Sequence, residues 1–277
     1  MIGFLRAWLR VLSVLVLTIG SWARADEGFL FVLEDDDTLA ATTHGSYRAM
    51  YAEAVRAAAR GGARAVALKF FFLEPDVAGD APLAAAMGEV PTYLQYALRG
   101  DPAIGNPAPA ALGAAAGSIG AEWMASDAPD FPVPELANVA AGLGFVDARS
   151  DFDLDVMPAL GSLDGRAVPA LQTALLGARF PGLAVTAAGL DAGGRRVPIA
   201  ADGTVRCEVE ELPDDVFVSL GDLLEERVPA ARLADAVVVI GYDGVDAPRF
   251  STGFFSSRSA HPMFMDRLRC VEALFGG

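Results

Sequence analysis

Three short apolar runs limit what this chain can fold into. Gly28-Phe-Leu-Phe-Val-Leu33 stops at Glu34-Asp35-Asp36-Asp37, and Arg64–Phe72 is broken past its first residue only by Lys69. Ala236-Val-Val-Val-Ile240 closes on Gly241-Tyr242-Asp243-Gly244. Rich in aromatic and branched residues and stopped by charge or glycine, such runs read as buried strands. Between the first two, Ser46 is placed to cap a helix from about Tyr47 to Arg60. Tyr47, Met50, Tyr51, Ala54 and Val55 share one face of it, and Gly61-Gly62 ends it. Strand, helix and strand with short connections predict a right-handed crossover and a parallel pair. The expected class is α/β: a mixed, mostly parallel sheet with helices on both faces, plus a C-terminal hairpin and a Pro/Ala-rich loop excursion.

The remaining elements follow from the same signals. Pro82–Met87 reads as a short helix and Thr92–Leu98 as a strand, then Ala137–Val146 and Asp153–Leu163 as two more strands. Val168–Arg179 and Leu220–Val228 read as helices. Val197–Ile199 and Thr204–Val209 flank Ala201-Asp202-Gly203, a hairpin signal. A last helix near Ala260–Phe275 carries Phe264, Leu268, Val271 and Phe275 on one stripe. Residues 99–136 hold six of the 17 prolines in an Ala/Gly background, which marks an excursion within one domain rather than a linker.

The amino-terminal segment, residues 1–25, has an export pattern. Arg6 and Arg10 precede the apolar run Val11–Gly20, and Ala23-Arg24-Ala25 gives a small-x-small cleavage site before Asp26. The run of ten residues falls short of the ~20 that cross a bilayer. The expectation is a periplasmic or secreted protein, cleaved near Ala25, with residues 26–277 forming one domain. Losing three arginines with the signal takes the formal charge from −15 to −18. That acidity disfavours nucleic acid and anionic lipid as partners. Cys207 and Cys270 can pair in an oxidising compartment, or remain isolated thiols.

Several chemistries lack their motifs. A phosphate-binding G-x-x-x-x-G-K-[ST] loop is ruled out, because the single lysine, Lys69, follows Leu68. No G-x-S-x-G elbow, no D-[ST]-G motif and no dinucleotide glycine fingerprint occurs, and the two histidines, His44 and His261, belong to no metal-binding spacing.

The order of segments resembles a known family. A strand ending in acid ("FLFVLEDDDTLA") leads to the helix "YRAMYAEAVRAAARGGA", the strand "AVALKFFF" and the helix "DAPLAAAM". Later come "GLGFVD", "AVPALQTALLG", "VPIAADGTVRCEV", "VSLGDLL", "DAVVVIGYDGVDAP" and "AHPMFMDRLRCVEAL". Over about residues 28–275 this succession is similar to the type-2 CHASE domain, an extracytoplasmic sensory module of bacterial cyclases and kinases. The chain departs from that pattern at Lys69, where an acidic residue is usual. It also departs at Thr42–Ser46, in place of a Trp/Pro turn, and at Asp153-Leu154-Asp155, in place of a D-G-x-x-R turn. The resemblance implies a non-catalytic sensor without a cofactor. Because such domains usually continue into membrane helices and an output domain, this chain is expected to act through a membrane-bound signalling or envelope protein, with an unknown small ligand. A cell-envelope assembly protein and a metal-dependent hydrolase using Asp35, Asp36, Asp37, Asp243 and Asp246 are the alternatives.

The candidate ligand-binding residues are Asp35, Asp36, Asp37, Lys69, Asp243 and Asp246. In open α/β sheets ligands bind beyond the carboxyl ends of the strands, where both acidic groups fall. If their strands are neighbours, the two acidic tips share one edge. Together with Glu34 the first cluster offers oxygen ligands to Ca²⁺ or Mg²⁺, and against this stands a solvated turn that merely stops the strand. Lys69 lies on the strand face of Ala67 and Phe71. A lysine within an apolar strand needs solvent or a carboxylate. It is suited to an anion or an imine, and equally to a structural ion pair with Glu34 or Asp35.

Overall fold

The computed structural model describes residues 28–41, 46–101, 103–109, 112, 120, 123–126, 128–146, 155–251 and 257–276. Six strands build the central sheet: β1 (Phe29–Glu34), β2 (Ala65–Leu68), β3 (Thr92–Ala97), β4 (Gly142–Val146), β5 (Phe217–Ser219) and β6 (Val237–Tyr242). Their order is β5-β1-β6-β2-β3-β4, and every pairing is parallel. Four longer helices cover it: α1 (Tyr47–Arg60), α2 (Asp80–Met87), α3 (Leu171–Arg179) and α4 (Ala260–Gly276).

The absence of alternation in the strands now has its cause. Leu30, Val32, Val66, Leu68, Val238 and Ile240 point into one core with α1 and α2. Phe29, Phe31, Ala65, Ala67, Val237 and Val239 point into a second core with α3 and α4. With helices on both faces neither parity meets water, so both must be apolar. Each fully buried valine or leucine contributes roughly 1.5–3 kcal/mol of transfer free energy.

Local chemistry fixes the ends of α1. The Ser46 hydroxyl oxygen accepts from the Arg48 N–H at 3.1 Å, and the Ser46 hydroxyl donates to Asp76. Arg48 forms a buried ion pair with Asp80, tying α1 to the start of α2. At the other end Gly62 takes φ +82°, which lets the Ala63 N–H reach the Ala58 carbonyl at 3.0 Å.

Several segments differ from the sequence expectation. Ala137 ends a helical turn, Pro134–Ala137, and β4 begins only at Gly142. Pro134 starts that turn because its fixed φ suits a first helical position. The Asp202-Gly203 turn forms, with Ala200 N–H bonded to the Thr204 carbonyl at 2.8 Å, but its arms diverge. Thr204–Arg206 pairs with Val156–Pro158, and Arg195–Pro198 pairs with Gly189–Ala192. The expected hairpin therefore does not form, and a hairpin stands one strand earlier, between Gly189–Ala192 and Arg195–Pro198, turned by Gly193-Gly194, both at positive φ as a primed turn requires. Leu220–Leu224 is shorter than expected. Described parts of the Pro-rich stretch are tied to the sheet: Asn106 Nδ2 donates to the Leu73 and Phe131 carbonyls at 2.8 and 2.9 Å, and Ala97 and Asp130 exchange backbone bonds beside β3. The export segment, His44, and Asp153 and Leu154 lie outside the described residues.

Candidate functional site

Parallel strands gather their carboxyl ends on one edge, and here β1, β6 and β2 are consecutive neighbours. Glu34 at the end of β1 pairs in register with Tyr242 at the end of β6. The two acidic tips therefore share an edge, but they are joined by donors of the protein itself. The Tyr242 hydroxyl donates to Asp36 Oδ1 at 2.9 Å and the Val245 N–H donates to Asp36 Oδ2 at 3.0 Å. Asp35 Oδ1 accepts from the Thr38 N–H at 2.7 Å, capping the short helix Asp36–Ala41. Asp35, Asp37 and Asp246 are exposed, whereas Asp243 keeps one buried carboxylate oxygen without a partner among the described residues. No group of three or more His, Cys, Asp or Glu able to hold a metal exists among the described residues.

Strand parity separates the buried titratable groups. Glu34 follows Leu30 and Val32 on the α1 face and is 1 % exposed. Its Oε2 accepts from the Tyr51 hydroxyl at 2.9 Å, and Oε1 has no partner among the described residues. Tyr51 stacks on Phe70 with centroids 4.3 Å apart, closing this side to water. Burial pushes the Glu34 carboxyl up from 4.5 to about 7. The Tyr51 hydrogen bond pulls it down and the neighbouring Asp35 charge adds to the rise. Tyr51 is raised in turn, by burial first and then by the Glu34 charge.

Lys69 follows Ala65 and Ala67 onto the opposite face. It is 5 % exposed and has no carboxylate within ion-pair distance among the described residues. The expected pair with Glu34 or Asp35 does not form, because Glu34 projects to the other side of the sheet and Asp35 caps its own helix. Instead the ammonium lies 3.4 Å from His261 Nδ1 and 5.1 Å from the Phe264 ring centroid. Burial lowers Lys69 from 10.5 to about 7. His261 falls to about 2, chiefly through burial and then through the Lys69 charge. The ring is therefore neutral, and while Lys69 is protonated, as an ammonium that only donates, Nδ1 is the acceptor and Nε2 carries the proton.

Gly241 makes this meeting possible. It sits on β6 one step beyond the Ile240–Leu68 pairing, and a Cβ there would collide with the His261 ring. The first turn of α4 thus lies directly on the sheet beside Lys69. Over the ammonium is a cavity of about 50 Å³. Lys69, Gln172, Phe145, Met263, Phe264 and Arg267 are among the described residues that line it, and none of the described lining side chains is acidic. Lower on α4, Cys270 is bonded to Cys207, with Cα atoms 6.2 Å apart.

Of the six candidate ligand residues, Asp36 and the strand-end Tyr242–Asp243 turn come together, and Lys69 stands apart on the other face. Glu34, Tyr51 and His261 were missed as interior groups. Glu34 carried a usable signal, since it has the parity of Leu30 and Val32 and therefore points into the core. His261, 192 residues from Lys69, carried none.

A family model described as CHASE2 domain matches residues 3–264 of the 277-residue chain. This chain belongs to the CHASE2 domain family. No curated protein and no solved structure matches it. CHASE2 domains are extracellular sensory domains of signalling proteins and are not catalytic. No helix among the described residues of this CHASE2 domain is long and apolar enough to cross a membrane.

Proposed function

We propose that this CHASE2 domain is an exported input module. It binds a small ligand outside the cytoplasm and passes its occupancy to a membrane-bound signalling protein, without catalysing a reaction. The observation that carries this reading is the family match across residues 3–264. The basic and apolar head with its Ala23-Arg24-Ala25 site supports export, with Asp26 as the mature amino terminus. In open α/β sheets the carboxyl edge is the usual ligand position, and here that edge holds the buried Glu34 and Lys69.

Photo-cross-linking in intact cells tests the partner, paired with mass spectrometry of the mature amino terminus. The expected product is a membrane protein bearing a kinase or cyclase domain, cross-linked to a chain that begins at Asp26. Cross-links confined to envelope assembly proteins would reject the sensory reading in favour of a scaffold. The hydrolase alternative has no support in the site, where the Asp36 oxygens already accept from Tyr242 and Val245.

A further inference from the structure

We propose that the Cys207–Cys270 disulfide is a thiol-exchange site, reduced by an external dithiol to loosen residues 207–213 from α4. The chain has two cysteines, and they are bonded to each other. Residues 207–213 run without helix or strand from Thr204–Arg206 to the helical turn Asp214–Val216. Beyond that turn lies β5, the edge strand of the central sheet. The bond is thus a clasp between an irregular connection and α4. It is also reachable: Cys207 is buried, Cys270 is half-buried, and both line a surface groove of about 390 Å³. The exposed residues Glu208, Glu210, Ala273 and Leu274 line the same groove. Exposed disulfides are the labile and regulatory ones, whereas purely structural bonds resist reduction. A groove of this size admits a small thiol or the tip of a cysteine-bearing loop.

The half-buried Cys270 sulfur is the point of attack. An external thiolate bonds to Cys270 Sγ, and the S–S electron pair leaves on Cys207 Sγ, which takes up a proton. The second external thiolate then displaces Cys270 from the mixed disulfide, and Cys270 is protonated in turn. The chain gains two electrons and two protons, and the dithiol becomes a disulfide. Cut from Cys270, residues 207–213 keep a few polar ties among the described residues. The Cys207 N–H donates to the Asp155 carbonyl and the Val209 N–H to Asp155 Oδ1, both at 3.0 Å. The Leu212 N–H donates to Asp266 Oδ1 at 3.0 Å, and Arg258 Nη2 donates to the Leu212 carbonyl at 3.2 Å. Reduced Cys270 has the Glu208 carbonyl oxygen 3.1 Å from its Sγ, but a thiol is a weak donor. Glu208, Glu210 and Glu211 repel one another along this connection. Opening is therefore local, while the strands between the two cores stay in place. The acidic rim and the formal charge of −15 also repel an anionic thiol and favour a neutral or cationic one.

This inference goes beyond the sensory reading and is tested without a ligand or a partner protein. The oxidised protein is treated with dithiothreitol in the absence of denaturant, alkylated, and measured by mass spectrometry. The expected result is alkylation of both cysteines, with amide exchange of Val209 and Leu212 faster by roughly tenfold or more. Amides of β1 and β6 should keep their protection. Cysteamine should react faster than mercaptoethanesulfonate at equal thiolate concentration, and salt should narrow the gap. Leu274→Trp narrows the groove and should slow reduction by roughly tenfold. Leu274 is exposed on α4, so the variant should fold as the wild type does. Circular dichroism checks this, and Ala273→Phe replaces the variant if it does not. Any of five results overturns the proposal: reduction only in denaturant, loss of protection in β1 and β6 together with residues 207–213, or unchanged exchange of Val209 and Leu212 after reduction. The others are an anionic thiol reacting as fast as a cationic one, and equal reduction rates in the wild type and the groove-filling variant.

Discussion

Replacing Lys69 by methionine should stabilise this protein near neutral pH, and the gain should vanish in alkali. Lys69 titrates at 10.5 when unfolded and at about 7 when folded. Its folded value is depressed, so the stability linked to it is present above the unfolded value and is lost as pH falls through the folded one. Between pH 10.5 and 7 the native state binds fewer protons than the unfolded chain, and the penalty accumulates to on the order of 4 kcal/mol. Methionine keeps the length and apolar stem without the charge. It forgoes the contact with the Phe264 ring and leaves His261 Nδ1 without its donor, together costing about 2 kcal/mol. The net gain at pH 7 is then about 2 kcal/mol, or a rise in Tm of roughly 4–8 °C for a domain of this size. Urea unfolding of both proteins at pH 7, 8.5 and 10 measures the difference. His261 stays neutral throughout, so among the described residues that face the ammonium Lys69 is the one that titrates across the range. A gain of the same size at every pH would refute the argument, as would a loss at pH 7.

Other perturbations test the remaining contacts. Glu34→Gln should leave stability unchanged below pH 4.5 and raise it by up to about 3 kcal/mol above pH 7. Its carboxyl is raised from 4.5 to about 7, so wild-type stability is lost as pH rises through that window; chemical denaturation across pH 4–8 checks it. Gly241→Ala should cost about 1–3 kcal/mol, because the new methyl displaces His261, and the imidazole NMR shifts should move with it. Arg48→Met should cost about 3–5 kcal/mol by leaving Asp80 buried and uncompensated, read from urea midpoints. Cys207→Ser with Cys270→Ser opens a loop with a sequence separation of 63 residues and should cost about 4 kcal/mol. Unfolding with and without reductant measures that loss, and identical curves would remove the bond from the account.

How much of this was legible depends on the range of each signal. Local periodicity located β1, β2, β6, α1 and α4, because a run of apolar residues bounded by charge or glycine is read within ten residues. Parity within one strand was equally local, and it would have turned Glu34 inward and Lys69 to the other face, excluding their ion pair. Strand order was not local. β6 inserts between β1 and β2, whose own connection is complete by Arg64, so nothing in the first 70 residues reserves the gap. The choice is made by Val237–Ile240, whose two apolar faces require a partner strand on each side and a core above and below. Once β6 is central, its next residue, Gly241, lies beside Lys69, and only a residue without a Cβ lets the start of α4 descend there. The Lys69–His261 contact is thus the product of a strand order and a missing methyl group. A single sequence shows each as an ordinary β-strand and an ordinary glycine turn, and the recess exists only where the two coincide.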